Sequence, residues 1–239
     1  MPEMSSSRPP AASLRARVRA GMTDEIKQIA RRQLAEHGAA NLSLRAVARE
    51  LGMVSSAIYR YFPSRDELLT ALIIDAYDTL GEAVEKAETA VDRGDLVGRH
   101  RAVCHAVRQW ALASPHEYAL IYGSPVPGYV APQDTVGPAS RVVIALVGIL
   151  ADGVAAGVLR QKPGDWLEPE VNEEMTCFVQ MACLDVPPTL MARGMISWTL
   201  LFGAVSFEVF GRLNTLIDDR RAWFDHQVRS MARLVGLRP

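Results

Sequence analysis

The sequence predicts an all-α protein. Apolar residues recur with helical period through most of the chain, and no convincing run alternates polar and apolar as a strand would. The periodic segments open on capping residues and stop at glycine or proline.

The elements follow in order. Residues 1–20 are rich in Ser, Pro, Ala and Arg and read as a flexible basic arm carrying Arg8, Arg15, Arg17 and Arg19. A first helix is expected over 23–37, with Thr23 as cap, Asp24 and Glu25 at its positive end, a stripe of Ile26, Ile29, Ala30 and Leu34, and Gly38 as stop. A second runs over 43–51, capped by Ser43, with Leu44, Val47, Ala48 and Leu51 at i, i+3, i+4 and i+7. Gly52 ends it. A third covers 55–61 and turns Ala57, Ile58 and Phe62 inward. Ser64 and Glu67 then form a capping box that opens a fourth helix reaching towards Ala90. Beyond it, helices are expected near 96–113, 115–122, 135–158, 168–184, 187–212 and 217–235, with loops at 123–134 and 160–167 marked by Pro and Gly. The expected organisation is therefore an arm (1–20), a small three-helix unit (21–70) and a larger helical domain (71–239).

Bulk composition excludes several classes. Apolar residues make up 49% of the 239, which fits a globular protein. The net charge of −1 hides a gradient: residues 1–70 hold eleven Lys/Arg against seven Asp/Glu, whereas the rest holds fifteen against twenty. A basic head on an acidic body suggests a polyanionic partner for the head alone. The three cysteines form no CxxC pair and read as reduced thiols. No signal peptide is evident, and the longest apolar run, 142–151, is too short to span a bilayer. The expectation is a soluble cytoplasmic protein with no membrane partner.

Two short helices joined by a tight glycine turn form a helix-turn-helix pattern, whose second helix can enter a DNA major groove. With Ala57, Ile58 and Phe62 turned inward, Ser55, Ser56, Tyr59, Arg60 and Tyr61 remain to face outward. Hydroxyls bond phosphates without carrying charge, and Arg60 can meet a phosphate or a guanine edge. Ser43 and Arg45 stand where backbone N–H groups favour a phosphate, and Arg65 opens the next helix on the same side. Short capped helices with surface Ser and Arg also occur in ordinary bundles, and a helix-turn-helix used only for protein contacts is an alternative. So is a helical enzyme, but no GxGxxG, Walker, GxSxG or HExxH motif is present, no catalytic residue is nominated and no cofactor is called for. His100 and Cys104 stand four apart on a helix with His105 next to them, but no further ligands complete a metal site.

The segment LSLRAVARELGMVSSAIYRYFPSRDELLTAL (42–72) strongly resembles the DNA-binding segment of the TetR/AcrR family of bacterial transcriptional regulators. The likeness rests on the polar cap and Leu44 opening the second helix, on VARELG, on the IYRYF exit and on PSRDELL, and covers about residues 20–72. One departure stands out: members usually carry Ser or Thr two residues after the turn glycine, where this chain has Val54. The resemblance implies an all-helical homodimer of about nine helices per chain and a variable C-terminal domain that binds a small molecule. It implies a dimer formed through the last two helices, and repression as the commoner mode. Residues 98–211 also look like a C-terminal subtype in which a Trp precedes a His-Gly pair by four residues; here the positions are Trp198 and Phe202-Gly203, with Phe in place of His.

The residues agree on the dimer. MISWTLLFGAVSFEVFG (195–211) is apolar almost all round, so burial against a second subunit is expected, with Trp198, Leu201, Val205, Phe207 and Val209 at the interface. An apolar or aromatic small-molecule effector is expected in the body, with Trp110, His116, Tyr118, Tyr122, Trp166, Met175, Phe178, Met181 and Phe202 as candidate lining, although ordinary core packing suits each of them too. Double-stranded DNA, as a near-palindromic operator, is the expected partner.

Overall fold

The computed structural model describes residues 11–161 and 164–238. Among them are ten α-helices and no strand, one helix more than the resemblance implies. In order they are α1 (Ala11–His37), α2 (Leu44–Glu50), α3 (Ser55–Ile58), α4 (Arg65–Thr89), α5 (Leu96–Ala113), α6 (Pro115–Tyr122), α7 (Val136–Ala155), α8 (Pro169–Met181), α9 (Pro188–Val209) and α10 (Arg220–Val235). Short 3-10 turns occupy Ala39–Asn41 and Gln133–Thr135.

The largest departure is at the start. The expected cap, Thr23, lies inside α1, where its hydroxyl donates to the carbonyl of Arg19 at 2.9 Å. Such i−4 back-bonding satisfies a Thr within a helix, so a cap residue type is not by itself a helix start. Arg15, Arg17 and Arg19 therefore belong to a helix, whereas Arg8 and the rest of residues 1–10 lie outside the described residues.

The chain divides into two compact units, Met1–Ile73 with Gly123–Pro132, and Ile74–Tyr122 with Gln133–Pro239. In the first, Ile26, Ile29, Ala30 and Leu34 of α1 are buried together with Leu44, Val47 and Ala48 of α2, Ile58 and Phe62. The loop after α6 joins this unit, with Tyr129 Oη 2.9 Å from Thr70 Oγ1.

The second unit is a bundle of α5, α7, α9 and α10 closed by the latter part of α4. Three arginine clamps tie its helices. Arg99, only 1% exposed, donates to Glu88 at 2.6 Å, to Asp152 at 2.8 Å and to the carbonyl of Arg93 at 3.0 Å, joining α4, α5 and α7. Burial works against its charge, but the hydrogen bonds and charges of Asp152 and Glu88 outweigh burial and raise its pKa. Arg108 makes a bidentate pair with Glu208 at 2.7 and 2.6 Å, linking α5 to α9. Arg141 of α7 spans Glu85 and Asp78 of α4. It crosses α4 at Gly81, where a Cβ would stand 2.4 Å from the guanidinium and push it aside.

The apolar run 142–151 sits within a much longer helix than its own length suggests. Gln133–Ala155 and Pro188–Val209 are long and apolar enough to cross a membrane by length and composition alone. Their apolar windows are 28% and 44% buried, so each helix turns only part of its apolar surface to the core of the bundle.

Candidate nucleic-acid interface

The α2–turn–α3 geometry follows from local chemistry. Ser43 caps α2, its Oγ accepting from the N–H of Ala46 at 3.4 Å. The buried Gln33 side chain accepts from the N–H of Ser43 at 3.5 Å and so fixes the start of α2 against α1. At the other end Gly52 adopts φ +68, and the N–H groups of Met53 and Gly52 bond to the carbonyls of Ala48 and Arg49 at 2.9 and 3.1 Å. This is a Schellman stop, and it turns the chain sharply into α3.

α3 is a single turn of α-helix, shorter than the expected 55–61. Beyond Ile58 the turns tighten: the N–H groups of Arg60 and Tyr61 bond to the carbonyls of Ala57 and Ile58 at 3.2 and 2.9 Å. Its cap is Val54, exposed and with no side-chain hydrogen bond to the helix. Val54→Thr supplies the missing acceptor and is expected to stabilise α3 by about 1 kcal/mol, seen as roughly fivefold slower amide hydrogen exchange at Ser56 and Ala57. Unchanged exchange would mean that packing of Ile58 alone sets the stability of this turn.

The predicted contact residues do not all behave alike. Arg45, Ser55, Ser56, Tyr59 and Arg60 are exposed, and no side-chain partner engages them among the described residues. Arg65 is different: its guanidinium donates to the carbonyls of Ala39 and Ala40 at 2.9 and 3.3 Å and to Asp66 at 3.2 Å. It braces the turn between α1 and α2, which corrects its expected place among outward contacts. Ser43 Oγ is likewise occupied by its cap bond. Tyr61 is half-buried beneath Arg19, whose guanidinium lies 5.6 Å from its ring and donates to the carbonyl of Arg60 at 3.0 Å.

Two features escaped the sequence reading. Arg49 shares the exposed face of α2 with Arg45 at i, i+4, a spacing that was available for the finding. The opening turns of α1 form a groove of about 360 Å³ with the exit of α3, lined by Leu14, Arg15, Val18, Arg19, Arg60 and Tyr61. That groove depends on α1 starting at Ala11, which composition did not signal.

In the second unit the expected lining residues scatter. Tyr118 is fully buried, its hydroxyl donating to the carbonyl of Phe202 at 3.1 Å and lying 2.8 Å from Ser206 Oγ. Tyr122 packs against Phe202 with ring centroids 4.2 Å apart and planes tilted by 31°, and burial followed by the neighbouring Tyr77 and Tyr118 raises its pKa. Trp110 donates to Thr79 Oγ1 at 3.2 Å; Met175 and Phe178 pack against the core. His116 is exposed, and Trp166 and Met181 are 70% and 75% exposed, which corrects their expected place in a pocket: His116 and Met181 lie on outer helix faces, and Trp166 lies in the segment between α7 and α8. A small cavity of about 20 Å³ opens instead between α7 and α9, lined by Val143, Leu146, Val147, Leu150, Met191, Gly194, Met195 and Trp198. The indole N–H of Trp198 is buried with no hydrogen-bond partner among the described residues.

The α9 surface also needs correcting. Leu201 and Val205 are buried at 1% and 0% exposure in the subunit's own core, so they cannot meet a partner. Trp198 and Val209 are half-buried against the same core. Only Phe207 of the expected set is exposed, at 56%. It belongs to a stripe of Ile196, Leu200, Gly203, Phe207 and Phe210, which recurs at i, i+4, i+7, i+11 and i+14. An all-round apolar helix thus has an inner stripe in the core and an outer apolar stripe beside it, a distinction that apolar composition alone does not make.

His100 is buried, and burial lowers its pKa to about 4; burial pushes the Cys104 thiol up to about 12. The ring nitrogens of His100 stand 3.9 Å from Cys104 Sγ. No group of three His, Cys, Asp or Glu side chains is placed to hold a metal among the described residues.

A capped helix, a left-handed glycine turn and a second helix whose outer polar side chains stay unpaired are the parts of a helix-turn-helix DNA-binding protein. Residues 27–72 match the family described as bacterial regulatory proteins, tetR family, and residues 100–231 match the Tetracyclin repressor-like C-terminal domain. The chain is 41% identical over 218 residues to the HTH-type transcriptional regulator Rv1816 of Mycobacterium tuberculosis, covering 89% of this chain and 91% of that one. The HTH-type transcriptional regulator Mb1846 of Mycobacterium bovis matches to the same extent. Among solved structures, the regulatory protein SCO4313 superposes with a TM-score of 0.74 at 32% identity, over 90% of this chain and 97% of that one. The chain belongs to the TetR family: it is a transcriptional regulator with a DNA-binding helix-turn-helix, and not an enzyme.

Proposed function

We propose that the protein is a cytoplasmic homodimeric repressor that binds a near-palindromic operator and is released by a small apolar or aromatic effector. The observation that carries the DNA reading is the unpaired outer set of Arg45, Ser55, Ser56, Tyr59 and Arg60 around one tight turn. Two such heads on a symmetric dimer meet successive major grooves, about 34 Å apart.

The outer stripe of α9 supports a dimer, since Ile196, Leu200 and Phe207 are large, apolar and exposed, as is Trp223 of α10. Phe207→Glu is expected to give monomers by light scattering with the helical content unchanged. A stable dimer of that variant would remove α9 from the interface.

The apolar cavity between α7 and α9 supports the effector reading, with the unpartnered Trp198 N–H suited to an acceptor on an otherwise apolar molecule. It has room for about one water, so an effector must move the lining to enter. Release then follows if the ligand prefers a state whose heads are wrongly spaced, and only that difference in affinity drives the shift.

The test is a gel shift on the DNA flanking the coding region, at two salt concentrations. A discrete, salt-sensitive complex that survives excess nonspecific DNA is the expected result. Failure of ligand-stripped protein to select any sequence from a genomic library would overturn the operator reading and favour a helix-turn-helix used for protein contacts.

A further inference from the structure

A second cavity, of about 220 Å³, lies between α5 and α10 and differs in chemistry from the α7–α9 cavity. Its apolar wall is Val97, Val228 and Ala232, and the latter two are buried. Arg101 of α5 and Arg229 and Arg233 of α10 also line it. Elsewhere in this unit Arg93, Arg99, Arg108, Arg141 and Arg193 each engage a carboxylate. The three around the cavity engage none among the described residues; Arg233 alone has a partner, donating to Ser230 Oγ at 3.0 Å. The single acid in the lining, Asp225, has its Oδ1 2.8 Å from His105 Nε2. Three guanidiniums against one carboxylate leave the cavity positive in a body that is acidic overall.

A second observation points the same way. His100 also lines this cavity, is 3% exposed, and among the described residues its ring makes a hydrogen-bond contact only with the Cys104 sulfur, at 3.9 Å. A neutral imidazole so placed offers one N–H that has no oxygen or nitrogen acceptor among the described residues. A ligand carboxylate supplies such an acceptor and also matches the planar fork of a guanidinium.

We propose that this cavity binds a small molecule with one carboxylate on a compact apolar body. The head is held by Arg101, Arg229 and Arg233, and the body lies against Val97, Val228 and Ala232. The volume is below that of sites for drug-sized ligands, which limits the occupant to a small acid. On α10, Arg229 and Arg233 stand about 120° and about 80° from Trp223, at about 100° per residue, and so on a different side of the helix. The site is separate from the proposed effector cavity and from the DNA-binding head, and its existence does not depend on either.

The experiment titrates the full-length protein with benzoate and hexanoate, with benzamide as the neutral counterpart and inorganic phosphate as the anion without an apolar body. Calorimetry gives affinity, and the imidazole resonances of His100 give location. Expected are saturable binding of the two carboxylates, at least tenfold weaker binding of benzamide and of phosphate, and a shift of the His100 resonances on saturation. Arg101→Ala/Arg229→Ala changes only exposed side chains and is expected to weaken carboxylate binding at least tenfold without altering the thermal midpoint. Arg229→Gln, a milder change, should give an intermediate loss. No carboxylate binding, equal binding of benzamide, unmoved His100 resonances, or unchanged affinity in the double variant would each overturn the proposal. Phosphate binding as tightly as benzoate would overturn the apolar half of it.

Discussion

Arg99→Ala is expected to lower the stability of the second unit by about 3 kcal/mol, near the lower end of what removal of one partner from a buried ion pair costs. The reason lies in what is left behind. Glu88 is 12% exposed at its side chain and loses the guanidinium that holds it at 2.5 Å, while Asp152 keeps only the exposed Arg93. The carbonyl of Arg93 also loses its donor. For a unit of this size the loss corresponds to a fall of about 10 °C in the thermal midpoint. Arg99→Lys keeps the charge but not the fork, and should recover part of the loss. Chemical denaturation of the three proteins measures it. A loss below about 0.5 kcal/mol would mean that Asp152 and Glu88 find water in the variant, which is the ordinary behaviour of surface pairs.

Arg60→Ala is expected to weaken operator binding about a hundredfold in a dimer that uses two copies, from roughly 1–3 kcal/mol per contact. The side chain is exposed and has no partner among the described residues, so little stability should change with it. Its backbone carbonyl still accepts from Arg19, which keeps the turn in place. The pattern of the loss matters as much as its size. A uniform loss over all sequences, with a shallower salt dependence, marks a phosphate contact; a loss confined to one operator position marks a base contact. Arg65→Ala should behave differently, lowering the stability of the first unit because its guanidinium braces Ala39 and Ala40. Unchanged affinity on removal of Arg60 would place the recognition surface elsewhere, with Arg45 and Arg49 of α2 next in line.

Much of the fold could be read from the sequence because its signals are local. Ser43, Gly52 and Ser64 act on neighbours within a turn, and the structure has the capping bonds of Ser43 and Ser64 and the left-handed glycine, though the Glu67 carboxylate does not return the bond of the expected box. Helical period placed α2 to α10 within a few residues of their bounds for the same reason. The exposed set on the α3 turn was also visible, since once Ile58 and Phe62 face inward the remainder of so short a segment has few places to go.

What sequence alone left open was set by contacts between residues far apart in the chain. Arg65 and Arg60 are the same residue type five positions apart; carbonyls 25 and 26 residues before Arg65 give it a bracing role. Leu201 and Phe207 stand six apart on one apolar helix, yet one is 1% and the other 56% exposed. A helix apolar all round has no moment to say which stripe faces its own core. The same holds for Arg99, Arg108 and Arg141, whose carboxylate partners stand up to 100 residues away. The sequence by itself determined the helices other than the start of α1 and the end of α3, the caps at Ser43 and Gly52, and the polar residue types of the turn after α2, because those depend on residues within about four positions of one another. Only the tertiary structure decided which arginines are clamps and which are free, and which apolar stripe remains uncovered, because burial is settled by packing between helices.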